Sequence, residues 1–236
     1  MIAEKYFFVM LKEHHQLLIV TTRDWSEKLG ELRLYERIDS AWMLIHARIP
    51  VVVGEAGLAW GIGLHPMGPG MAPCKREGDG ASPAGLFSLG TAFGFAKLPT
   101  KMDFLYLHSD LEAIDDPTSR YYNCMVDRRA VCPDWQSSEK MREEPLYEMG
   151  IVVNHNTKAR PGAGSAIFLH IWESERAGTK GCTAMSREHL SNVLAWLDKQ
   201  KNPALVQLPV NVYQTVQNAW SLPKWTELDS NQRPSA

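Results

Sequence analysis

Cys182, preceded by Gly181, and His170, twelve positions upstream on an apolar run, are the residues of this chain best suited to nucleophilic chemistry. An ordinary thiol, with a pKa near 8.5, is only a few per cent ionised at neutral pH. A neighbouring imidazole can take its proton and form a thiolate–imidazolium pair, and Lys180 and the N-terminus of a following helix would add positive potential. The pairing predicts Sγ within about 4 Å of an imidazole nitrogen. It also predicts that Cys182 alkylates faster than Cys74, Cys124 and Cys132. Gly181 has no Cβ and permits a tight turn, in which the N–H groups of Gly181 and Cys182 face one developing oxyanion.

The elements that must hold these residues can be read around them. Residues 166–172 have the length and apolar content of a core strand, and alternation puts His170 on one face with Phe168 and Trp172. The polar stretch 173–180, with Gly178, reads as a loop that returns the chain toward His170. After Cys182, Leu190, Val193, Leu194 and Leu197 fall at i, i+3, i+4 and i+7. That spacing predicts a helix with Ser186 as N-cap and Asn202-Pro203 as stop.

Further strands are expected at residues 16–22, 30–37, 41–49, 51–53 after an interruption at Pro50, 151–154 and 204–210. A short helix is expected over 137–144, with a Ser cap and Glu139 complementing its dipole. Residues 54–85, rich in Gly and Pro, read as turns. Asp127, Asn154 and His155 are candidates to orient the His170 ring, a task that a backbone carbonyl also performs. Tyr121-Tyr122-Asn123 suits either a substrate groove or sheet packing; Trp172 reads as core, and His65 and His108 as packing or loop residues.

Several function classes are disfavoured. There is no C-x-x-C or H-x-x-x-H pair, and the other cysteines are scattered, so a zinc site is not indicated. The Gly-rich segment lacks the Lys-Ser/Thr of a phosphate loop. A formal net charge of −2 with no Lys/Arg-rich run gives nucleic acid no electrostatic footing. The longest apolar stretches fall far short of the roughly 20 residues of a membrane-spanning helix. With 236 residues, 44% of them hydrophobic, the chain can bury one sizeable core, expected as a single domain over residues 1–220 with a disordered tail at 221–236.

A His on an apolar run, a polar loop and then Thr179-Lys180-Gly181-Cys182 resemble the catalytic motif of the L,D-transpeptidase (YkuD-type) family. Upstream, Glu77-Gly78-Asp79-Gly80-Ala81-Ser82-Pro83-Ala84-Gly85-Leu86-Phe87 is similar to that family's GDG-x-(S/T)-P-x-G-x-F element. Val51-Val52-Val53-Gly54 and residues 162–170 are compatible with it, and the resemblance spans residues 15–210. The chain departs from many members in having Ile171 directly after the His and a short spacer. It also has Lys180 where a second His is common, and Ala184 where many have Arg or Asn suited to a substrate carboxylate.

The resemblance implies a mainly β fold, a YkuD-like β-sandwich or mixed-sheet domain with one or two accessory helices. It implies Cys182 as nucleophile and His170 as base. Gly181, Lys180 and Thr179, with Tyr122 and Asn154, form the expected oxyanion and substrate-binding set. The implied reaction is acyl transfer on peptidoglycan stem peptides through a Cys thioester, with no metal or organic cofactor and with carbapenem-type inhibitors as reactive partners. Hydrolysis of the same thioester, as a carboxypeptidase or amidase, and non-enzymatic wall binding are the alternatives. The family implies the periplasm or cell envelope, although the run from Tyr6 to Leu11, broken by Lys12-Glu13-His14-His15, is not a readable signal peptide.

Overall fold

The computed structural model describes residues 11–68 and 71–224. The first half of the chain supplies β1 (Gln16–Thr22), β2 (Leu29–Ile38), β3 (Ala41–Val52), β4 (Leu58–Trp60), β5 (Ser82–Gly94) and β6 (Phe104–Tyr106). A separate three-stranded sheet is built from β7 (Leu111–Ile114), β8 (Met125–Asp127) and β9 (Ser138–Lys140). Then come β10 (Met149–Val153), β11 (Phe168–Ile171), β12 (Thr183–Met185), helix α1 (Arg187–Trp196), β13 (Ala204–Pro209) and helix α2 (Val210–Val216). The fold is mainly β, as the sequence indicates.

Strands β10, β11, β12, β3, β2, β1, β13 and β5 pair in that order, and β5 pairs back to β10, so the ladder closes on itself. The length of β5 makes this possible. Its residues 85–88 pair with β13, while 89–94 pair with β10. β4 and β6 extend the sheet by parallel pairing to β5. β1, an unbroken QLLIVTT run, is buried at every position: β2 and β13 take its two edges, helix α2 packs against it and its apolar side chains lie in the core.

Helix α1 begins where Ser186 Oγ accepts the His189 N–H, and it buries Leu190, Val193 and Leu194 against β10 and β11. Each of those side chains contributes about 1.5–3 kcal/mol, so α1 braces the strand that carries His170. Leu190→Ala would loosen this support, at a cost of about 2–5 kcal/mol.

Three expectations are corrected. Pro50 does not interrupt β3, which runs on to Val52. β12 meets β3 only at Val51 and Val52, so Pro50 sits on an otherwise open edge where its missing N–H costs little. The helix expected over 137–144 is instead β9, paired to β7. Ser138 Oγ donates to the buried Glu112 carboxylate at 2.6 Å, alongside Trp135 Nε1 at 2.8 Å, so a partner far upstream outcompetes the local cap. At the start of the stretch expected as a tail from 221 the chain is packed instead: Leu222 and Pro223 are buried, and Tyr213 Oη donates to Pro223 O at 2.7 Å. Residues 225–236, and residues 6–10 of the apolar run that ends at Leu11, lie outside the described residues.

Candidate active site

Cys182 stands at the entry to β12, between β11 and β3. Its main-chain carbonyl accepts Ser82 Oγ at 2.6 Å and Thr179 Oγ1 at 2.5 Å, which ties the 179–182 turn to the start of β5. Ser82 Oγ in turn accepts the Gly54 N–H at 2.8 Å. A Cβ on Gly54 would lie 2.3 Å from Gly80 O, so only glycine lets these segments close. The Cys182 thiol donates to Ala166 O and accepts the Phe168 N–H, both at 3.3 Å.

β11 and β12 run parallel with His170 opposite Ala184. His170 therefore lies one diagonal step from Cys182 on the same face of the sheet. His170 Nδ1 lies 2.7 Å from Ile171 O, a contact that requires Nδ1 to carry the proton and leaves Nε2 as a free base. The Tyr147 ring packs edge-on against the imidazole at 5.2 Å. Both His170 and Cys182 line one cleft of about 790 Å³ with Lys75, Glu139, Tyr147 and Lys180. No hydrogen bond joins Sγ to the imidazole; each is held by backbone groups instead.

The electrostatics of the resting site differ from the expected ion pair. Burial pushes the Cys182 thiol up; the Glu139 carboxylate adds to this, and the Phe168 N–H and Lys75 ammonium oppose it. Burial likewise pushes His170 down, against its bond to Ile171. Both shifts disfavour charge, so the free protein holds a neutral thiol and a neutral imidazole.

Of the expected binding residues, Thr179, Lys180 and Gly181 line the cleft with Cys182. Lys180 is exposed, whereas the Thr179 hydroxyl is committed to the turn, donating to Cys182 O and accepting the Gly181 N–H at 3.1 Å. The Gly181 amide is thus already bonded, contrary to the two-amide hole expected, and the Cys182 N–H has no partner among the described residues. Ala184 is fully buried and offers nothing to a carboxylate.

Tyr122 and Asn154 are corrections. Tyr122 is buried and does not line the cleft, donating through Oη to the Glu77 carboxylate and accepting the Gly164 N–H at 3.1 Å. A phenol so bonded braces the loop before β11 and leaves no group for substrate. Asn154 Nδ2 donates to Ser88 Oγ at 2.9 Å, and the residue faces a separate cavity of about 210 Å³. Nor does Asp127 or His155 orient His170. Asp127 pairs with Arg129, which holds its carboxyl at about 2. His155 accepts the Ile62 N–H through Nδ1 at 3.1 Å and meets Ala163 O through Nε2 at 2.8 Å. Trp172, read as core, is half-buried and lines the cleft.

Sequence reasoning gives no part in the cleft to Lys75, Glu139 or Tyr147. Tyr147 Oη donates to Glu139 at 2.5 Å, and burial raises the Glu139 carboxyl against that bond. Lys75 was legible only as a cation four residues before Asp79.

The family model of the L,D-transpeptidase catalytic domain, YkuD, matches residues 32–212. No curated protein matches the chain. Among solved structures, the crystal structure of the helical cell shape determining protein Pgp2 from Campylobacter jejuni is similar at 14% identity and a TM-score of 0.36. That match covers 87% of this chain and 54% of the other, so the chain spans about half of that protein's length. Through the family model, matched over most of its length, this chain belongs to the L,D-transpeptidase catalytic domain family.

Proposed function

We propose that this protein is a cysteine-dependent acyl transferase acting on peptidoglycan stem peptides. One observation carries the reading: a single cleft holds Cys182 and a His170 whose Nδ1 is tied to a main-chain carbonyl, leaving Nε2 to take a proton. A bound D-terminated stem peptide would displace water from the cleft. His170 then removes the Cys182 proton as Sγ attacks the peptide carbonyl, and it returns that proton to the departing amine. The thioester passes its acyl group to an acceptor amine. Lys180, exposed at the cleft, meets the terminal carboxylate for which Ala184 supplies no partner.

Charge is created only at the moment of attack, which fits a resting pair that burial keeps neutral. A substrate of this kind puts the protein's work in the periplasm or cell envelope. Among the described residues no helix is long and apolar enough to cross a membrane. Incubation of the purified chain with a disaccharide tetrapeptide and a free D-amino acid, followed by mass analysis of products, tests the reading. Exchange of the terminal residue supports transfer; a tripeptide product alone reassigns the protein to hydrolysis, and unchanged substrate leaves wall binding.

A further inference from the structure

The cleft contains one hydrogen-bond donor too few on its main chain and one too many on a side chain. The Gly181 N–H, which a two-amide oxyanion hole needs, is bonded to Thr179 Oγ1, so the turn presents only the Cys182 N–H. Lys75 Nζ stands 3.7 Å from where a Cβ on Gly181 would be. Its side chain is 3% exposed, yet it lines the cleft. The ammonium donates to Asp79 Oδ1 at 2.5 Å and to Arg76 O at 2.7 Å, and its third N–H has no acceptor among the described residues.

The surroundings hold that ammonium in place. Asp79 also accepts the Arg76 and Ala81 amides at 2.7 and 2.9 Å, so the counter-ion is fixed. The Lys75 backbone is anchored by its N–H to Trp60 O at 2.9 Å. Its aliphatic stem passes over Gly164, where a Cβ would come within 3.1 Å of both Cγ and Cε, and where φ is +98°. A buried cation with an unfilled N–H, set rigidly beside a nucleophile, suits an anion that forms during the reaction.

We propose that Lys75 Nζ donates to the developing oxyanion, supplying the hydrogen bond that the Gly181 amide gives to Thr179. The proposal rests on the thioester reading above. As Sγ bonds to the carbonyl carbon, the thiol proton moves to His170 Nε2 and the carbonyl π pair moves to oxygen, where the Cys182 N–H and the Lys75 N–H receive it. Collapse restores the carbonyl and breaks the C–N bond, and His170 protonates the leaving nitrogen. Lys75 keeps its proton throughout.

The test follows acylation of the full chain by meropenem with intact-mass kinetics, for wild type, Cys182→Ala, Lys75→Met and the double variant Lys75→Met/Asp79→Asn. The double variant removes the carboxylate that the single one leaves uncompensated. In the variants that fold, the limiting acylation rate constant is expected to fall about 100-fold, while the half-saturating drug concentration changes less than about threefold. A rate constant within about threefold of wild type in either folded variant overturns the proposal, as does a loss confined to half-saturation. If wild type itself gains no adduct at Cys182, the thioester reading fails and Lys75 falls with it. A normal wild-type adduct with normal variants removes Lys75 alone.

Discussion

The Ser82 hydroxyl donates to the main-chain carbonyl of Cys182 at 2.6 Å, joining two motifs a hundred residues apart. The same oxygen accepts the Gly54 amide, so one side chain connects three segments around the nucleophile. Ser82→Ala leaves that buried amide without an acceptor and the Cys182 carbonyl with one donor fewer. A loss of about 1–3 kcal/mol is expected, read as a fall in melting temperature, together with slower acylation of Cys182. An unchanged melting temperature would show that the contact does not support the turn.

Thiol labelling separates the resting state found here from the ion pair that the motif alone suggests. Cys74, Cys124 and Cys132 are exposed, and Cys182 is buried with its thiol pushed up. At pH 7.5 iodoacetamide should therefore label the three exposed cysteines first. Labelling of Cys182 should keep rising with pH beyond the range of an ordinary thiol, because burial raises its pKa. Faster labelling of Cys182 than of the other three would contradict the neutral resting pair.

His155 gives the fold a pH dependence of defined sign. Burial pushes its pKa down to about 4, so the folded protein holds it neutral between two backbone partners. The unfolded chain binds that proton near the ordinary value of about 6.5. Stability is then fully present above about pH 6.5 and is lost as pH falls toward about 4, by up to roughly 1.4 kcal/mol per unit. His155→Gln, which keeps an acceptor for the Ile62 amide, should flatten this slope in melts between those pH values. A slope identical to wild type would assign the acid sensitivity to another group.

How much of this site is legible in a sequence depends on the range of the interactions that build it. β11, with His170, and α1, capped by Ser186, follow from apolar spacing, because both elements satisfy their hydrogen bonds in regular patterns and bury one face. β9 reads locally as a helix because the partner of Ser138 is Glu112, 26 residues earlier, and no local rule weighs that contact. Tyr122 suits a groove or sheet packing equally by its sequence neighbours, and only its bonds to Glu77 and Gly164 show it to be a brace. Tyr147 sits at the end of the short 3₁₀ turn Pro145–Tyr147, which has no periodicity to detect. Lys75 and Asp79 resemble an ordinary i, i+4 surface pair; only the packing of Gly164 over the lysine stem shows that the cation is interior.

The central claim is that Cys182 forms a thioester with the acyl group of its substrate. Intact-mass and peptide-mapping analysis of the full chain after exposure to a carbapenem tests it most directly, since ring opening of the strained lactam by the cysteine adds a defined mass at the nucleophile itself. One adduct per chain is expected, on the peptide that contains Cys182, absent in Cys182→Ala and strongly reduced in His170→Ala. An adduct on any other residue, or one that persists in Cys182→Ala, would contradict the account.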